Sequence, residues 1–124
     1  MGKFVVRPVK SGLKFDLKAA NGERIAASEA YTTRIACMNG IKSVIKNAPA
    51  AAVEDQTVEP VARQRHPKFE IYQDHAGEFR FRLKATNGQV ILASEGYAAK
   101  ASCEKGVQSV KKNAVGARIE VPEA

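Results

Sequence analysis

No stretch of the 124-residue chain approaches the roughly 20 consecutive apolar residues that a membrane-spanning helix requires. The opening MGKFVVRPVKSG has too short an apolar core for a secretory signal, and Val6 stands where a myristoylation signal needs Ser or Thr. These absences predict a cytoplasmic protein with no membrane partner. Cysteine is scarce as well. Cys37 and Cys103 have no CxxC spacing and no His nearby in sequence, which argues against a zinc site and for buried thiols. The chain has two histidines, His66 and His75, and no Gly-rich dinucleotide loop, so no metal or cofactor is expected.

Apolar residues make up 44 % of the chain and charged residues 27 %, the composition of a soluble globular protein. The formal charge of +7 is spread evenly. Residues 1 to 62 hold nine Lys/Arg against six Asp/Glu, and residues 63 to 124 hold eleven against seven. Such an excess permits attraction to nucleic acid or another polyanion without demanding it.

The organising feature is a duplication. NGERIAASEAYTTR, from Asn21 to Arg34, returns as NGQVILASEGYAAK, from Asn87 to Lys100, at an offset of 66 that also aligns Phe15 with Phe81, Cys37 with Cys103 and Gly40 with Gly106. About half the positions from Phe15 to Ala48 are identical to their partners, which identifies a tandem repeat. Upstream the offset falls to 65, pairing Phe4 with Phe69.

Each copy reads as three strands, a helix and a short last strand. EFRFRLKA alternates Phe79, Phe81 and Leu83 against Glu78, Arg80, Arg82 and Lys84, the period of a strand with one buried face. The Asn-Gly dipeptides, which best accept two positive φ angles, predict tight hairpin turns before RIAA and QVILA. The period then changes: Cys37, Ile41, Val44 and Ala48, repeated as Cys103, Val107, Val110 and Ala114, mark one stripe of an amphipathic helix that Asn47 and Asn113 close. Gly40 and Gly106 on that stripe predict a close approach of helix to sheet. The expected domains are repeat 1 at 1–55, a linker at 56–67 and repeat 2 at 68–121, packed as one pseudo-twofold unit because a single copy of roughly 50 residues forms a marginal core.

The order of NGxxIxASExY and CxxG(I/V)xSVxKNA, met twice, closely resembles the YegP-like family of small bacterial proteins. The resemblance implies an α+β fold of two β-β-β-α-β units, an antiparallel sheet carrying two helices, and C-terminal strands exchanged between units. AAVED would then pair with repeat 2 and ARIEV with repeat 1. Ala30 departs from the SEGY form of the motif. The family brings no reaction with it, so activity stays open.

Three functional readings follow. A binding or interaction module without catalysis leads, because His66 and His75 have no counterparts in repeat 1 and a duplicated triad is excluded. Nucleic-acid or other polyanion binding comes second, through a basic row of Arg80, Arg82 and Lys84 partly reproduced by Lys14 and Lys18, with Tyr72 as a stacking group. An enzyme comes third, with Glu29, Tyr31, Glu95 and Tyr97 in a groove between the two Ser-Glu-x-Tyr corners. Ser28 and Ser94 are expected to cap the helices, with Glu29 and Glu95 favoured near the helix starts. With both halves of the pair in one chain, the protein should be a monomer.

Overall fold

In the computed structural model, which describes residues 2–121, ten elements alternate as the two periods require. They are β1 (Lys3–Val9), β2 (Gly12–Lys18), β3 (Arg24–Ala27), α1 (Arg34–Asn47) and β4 (Ala52–Asp55), then β5 (Lys68–Gln73), β6 (Phe79–Lys84), β7 (Val90–Ala93), α2 (Lys100–Ala114) and β8 (Arg118–Glu120). All eight strands form one sheet in the order β4-β5-β6-β7-β3-β2-β1-β8. The last strands are exchanged: β4 of repeat 1 pairs with β5, and β8 of repeat 2 pairs with β1. Both of these pairings are parallel, so the sheet is mixed and not antiparallel throughout. A helix separates each last strand from the repeat it leaves, and that crossover length is what a parallel pairing needs.

The two meanders meet at Ala27 and Ala93, where β3 and β7 run antiparallel. One face of the sheet carries Phe4, Val6, Phe15, Leu17, Phe69, Ile71, Phe81, Leu83 and Leu92, packed with Cys37, Ile41, Val44, Cys103, Val107 and Val110 of the helices in a single buried cluster. Phe4 meets Phe15 edge-on at 5.7 Å and Phe69 meets Phe81 at 6.1 Å, so the duplication is visible in the packing itself.

The hairpin turns differ from expectation. Only the glycines take positive φ, 87° at Gly22 and 84° at Gly88, while Gly22 donates to the Ala19 carbonyl and Ala19 to that of Glu23. This is a type I turn followed by a left-handed glycine, a three-residue loop that fits the twist of the strands as well as a two-residue one. Asn21 and Asn87 serve as Asx turns instead, their side-chain oxygens accepting from the backbone of Glu23 and Gln89.

The segment joining the repeats lies across the outer side of the sheet. Gln64 donates its backbone N–H to the Glu54 carboxylate at 2.7 Å, Arg63 approaches the same group at 3.5 Å, and His66 lies over Gly88.

Candidate functional site

The Ser-Glu-x-Tyr corners are structural in their first residue. Ser28 Oγ accepts from the Phe15 backbone at 3.0 Å and donates to the Glu29 carbonyl at 2.8 Å, and Ser94 repeats both bonds with Phe81 and Glu95. The hydroxyl takes over strand pairing where β3 and β7 bend away. Pairing then resumes at Tyr31 with Leu13 and at Tyr97 with Phe79. Neither serine caps a helix: five residues separate Ser28 from α1, and Thr33 is its N-cap, with Ala99 at the start of α2. Each Tyr ring stacks on the Phe below it, Tyr31 on Phe15 at 6.1 Å and Tyr97 on Phe81 at 6.5 Å, and lies against the helix glycine. A Cβ on Gly106 would sit 2.7 Å from the Tyr97 hydroxyl oxygen and 2.8 Å from the Phe81 ring, which explains a mid-helix glycine in both copies. Burial, then the neighbouring Cys and Glu, push both hydroxyls above the ordinary Tyr range.

The two corners part company at their glutamates. Glu95 is ion-paired with Arg24 of the other repeat. The residue matching Arg24 at the other corner is Val90, and Glu29 makes no ion pair among the described residues. Glu29, Ala30 and Tyr31 instead line a hollow of about 270 Å³ with Gln89, Val90 and Ile91. It continues through a second of about 350 Å³, bounded by Tyr31, Ala36, Asn39, Ser43, Asn87 and Gln89. A third, of about 380 Å³, reaches Lys42 and Lys46. The result is a groove between α1 and the β6–β7 hairpin. Because β3 and β7 cross antiparallel, Glu29 and Tyr31 lie with the start of β7 while Glu95 lies with the start of β3. The four corner residues do not share one site.

The basic row is built but not free. Arg80 pairs with Asp74 at 2.7 Å, Arg82 with Glu70 at 2.6 Å and Lys84 with Glu70 at 3.1 Å. Arg82 also covers the Tyr72 ring at 4.4 Å, occupying the face proposed for stacking. Lys68 bridges Glu70 and the fully buried Glu54 at 3.2 and 2.8 Å. Burial alone raises the Glu54 carboxyl, but hydrogen bonds from Lys68, Gln56 and the Gln64 backbone outweigh it and hold the group at about 2. In repeat 1 the acid has changed strand: Asp16 of β2 stands where Arg82 does, and takes Arg7 at 2.9 Å and Arg24 at 3.8 Å. Lys14 and Lys18 make no ion pair among the described residues.

Both thiols are fully buried and unpaired, and burial pushes Cys103 up to about 11 and Cys37 upward in the same direction. The described residues contain no group of three or more His, Cys, Asp or Glu able to hold a metal. No helix among them is long and apolar enough to cross a membrane.

A family model described as a domain of unknown function, DUF1508, matches residues 12–55 and 74–120, one match per repeat. The chain belongs to that YegP-like family. It is 40 % identical over 119 residues to the UPF0339 protein in the ptx operon 5′ region of Stutzerimonas stutzeri, covering 95 % of this chain and 94 % of the relative. A UPF0339 protein of Methanosarcina acetivorans is 57 % identical over 56 residues, which span 97 % of that protein but 45 % of this chain. The relative is one repeat long. Among solved structures, the solution NMR structure of the Escherichia coli protein of unknown function yegP matches with a TM-score of 0.79 at 33 % identity, covering 97 % of this chain and 91 % of that one. These relatives carry no established biochemical function, so any reading of function rests on the groove and the charges.

Proposed function

We propose that the protein is a binding module without catalysis, acting as a monomer in the cytoplasm, and that its working surface is the groove along α1. The observation that carries this is the divergence of the corners: one glutamate is held by Arg24, and the other, beside Val90, is left to face a groove. The groove has polarity. Glu29 stands at one end, Lys42 and Lys46 at the other, and Asn39, Ser43, Asn87 and Gln89 lie between. The ten steps along the helix from Ala36 to Lys46 advance about 15 Å, the length of roughly four to five residues of extended chain. A short peptide or similarly elongated zwitterion fits, its ammonium at Glu29 and its carboxylate at the lysines. The exchanged strands support the monomer, since each repeat already supplies the other's edge.

The test is an NMR titration of the labelled protein with free tetra-alanine and with the same peptide acetylated and amidated. Free peptide should shift the amides of Glu29, Tyr31, Asn39, Ser43 and Gln89, and Val90→Arg should abolish the shifts by recreating the Arg24 pairing. Equal shifts from the blocked peptide, or none from either, would sink the reading. The polyanion reading has less support because Arg80, Arg82 and Lys84 already face carboxylates.

A further inference from the structure

The repeats differ in what lies over their outer faces. In repeat 2 the residues just before β5 fold over the sheet: Gln64 and Arg63 reach Glu54, and His66 lies against Gly88 at the tip of the β6–β7 hairpin. By the internal offsets, Glu54 corresponds to Glu120, Lys68 to Lys3, Pro67 to Gly2 and Gly88 to Gly22. The strand registers agree, since Glu54 sits beside Glu70 on β5 as Glu120 sits beside Val5 on β1. The same place on repeat 1 is a pocket of about 420 Å³ lined by Gly2, Lys3, Ala19, Ala20, Asn21, Gly22 and Arg118. Glu120, which pairs with Lys3 and Arg118 of that lining, is 42 % exposed, where Glu54 is fully covered.

We infer that this pocket is a docking seat for an extended, acidic polypeptide segment, laid over Gly22 as residues 63–67 are laid over Gly88. The shape argument is internal to the molecule, because in repeat 2 a segment of chain lies on the matching surface, with Gln64 on Glu54 and His66 on Gly88. The charge argument sets the sign. In repeat 2 the seat holds two carboxylates, Glu54 and Glu70, which Lys68, Arg82 and Lys84 already meet, and the basic segment ARQRHP, residues 62–67, adds Arg63 on Glu54. In repeat 1 Val5 replaces Glu70 and Arg118 replaces Ala52, so Lys3 and Arg118 face the single carboxylate of Glu120, at 3.4 and 3.1 Å. Arg118 is 74 % exposed and lines the pocket, placed to meet an incoming carboxylate. At Val5 and Arg118 the seat of repeat 1 has lost a carboxylate and gained a cation. It is separate from the groove along α1, and neither proposal depends on the other.

The experiment uses the full chain, isotope-labelled, and three probes with defined ends: capped AEQEHP, capped ARQRHP and a short oligothymidylate. The acidic peptide should shift the amides of Lys3, Asn21, Gly22 and Ile119 at up to millimolar concentration, and the basic peptide should not. Arg118→Ala should weaken the acidic peptide about two- to fivefold, the size of one exposed ion pair, and Arg118→Glu should turn the preference toward the basic one. No shift at these amides, equal shifts from both peptides, or tighter binding of the oligothymidylate at the same amides would overturn the assignment. Arg118 is exposed on the edge strand of the sheet, so both variants should fold; a thermal melt on each checks this.

Discussion

Gln64 gives its backbone N–H to Glu54, so the segment between the repeats is fastened to a carboxylate that has no exposure to water. Glu54 sits at about 2 against an ordinary 4.5, and Asp55, Glu70 and Asp74 are lowered as well by their cationic and backbone partners. A carboxyl lowered in the folded state binds fewer protons there than in the unfolded chain. Its stabilisation is complete above pH 4.5 and is lost as the pH falls toward 2. Thermal melts between pH 6 and pH 2 should therefore show a steep loss of stability below pH 4.5, and Glu54→Gln should flatten part of it. An unchanged slope in Glu54→Gln counts against this origin.

Gly106→Ala tests the contact between helix and corner. Alanine gains about 1 kcal/mol of helix propensity over glycine, yet its methyl would sit 2.7 Å from the Tyr97 hydroxyl oxygen and 2.8 Å from the Phe81 ring. Overpacking of that kind costs about 1–3 kcal/mol, so the substitution should lower the urea midpoint. Tyr97→Phe combined with Gly106→Ala should recover part of the loss by removing one of the two clashing atoms. A Gly106→Ala protein more stable than wild type would show that propensity wins.

Arg82→Glu separates a structural from a binding role for the basic row. The new carboxylate would face Glu70, itself buried and now short of one of its three cations. Breaking a buried pair by removing one partner costs about 3–5 kcal/mol, and Lys68 and Lys84 should limit the loss to the lower end. Denaturation should show a large drop in stability, with affinity for oligothymidylate at low salt unchanged. Preserved stability with weakened binding would return the row to the polyanion reading.

Much of this was legible in the sequence because each element announces itself locally. Alternation placed Phe79, Phe81 and Leu83 on the buried face, and the spacing of Cys37, Ile41 and Val44 gave α1 its stripe. What was not legible depends on partners distant in the chain. Arg80, Arg82 and Lys84 read as a free row since Glu70 lies on another strand and Asp74 in a turn. The acid reaching Lys68 comes from β4, which belongs to the other repeat. Ser28 read as a helix cap because residue type cannot distinguish a hydroxyl that starts a helix from one that replaces a strand partner. The difference between Glu29 and Glu95 was present as Val90 against Arg24, a contrast with no meaning until the β3–β7 junction brings them to opposite ends.

Both thiols should be silent in the native protein. Cys37 and Cys103 are fully buried and shifted upward, which removes both access and thiolate. A disulfide-exchange reagent at pH 8 should label neither over minutes and both in denaturant. Rapid native labelling of one thiol would reveal opening of the helix that carries it.

The strand exchange makes the sharpest test of the architecture. A polypeptide of Lys68 to Ala124 alone would have β5 without β4 and β8 without β1, two parallel pairings lost at once. It would also expose the edge of β7 that pairs with β3, and unpaired edges with apolar neighbours drive association. That fragment should either form a homodimer, in which β8 of one copy supplies the strand that β4 supplies here, or fail to fold. The one-repeat length of the Methanosarcina relative favours the dimer. Sedimentation of the full chain should give a monomer and of the fragment a dimer. A folded monomeric fragment would mean that a single repeat can close its own core, and that the exchange is an accident of linkage.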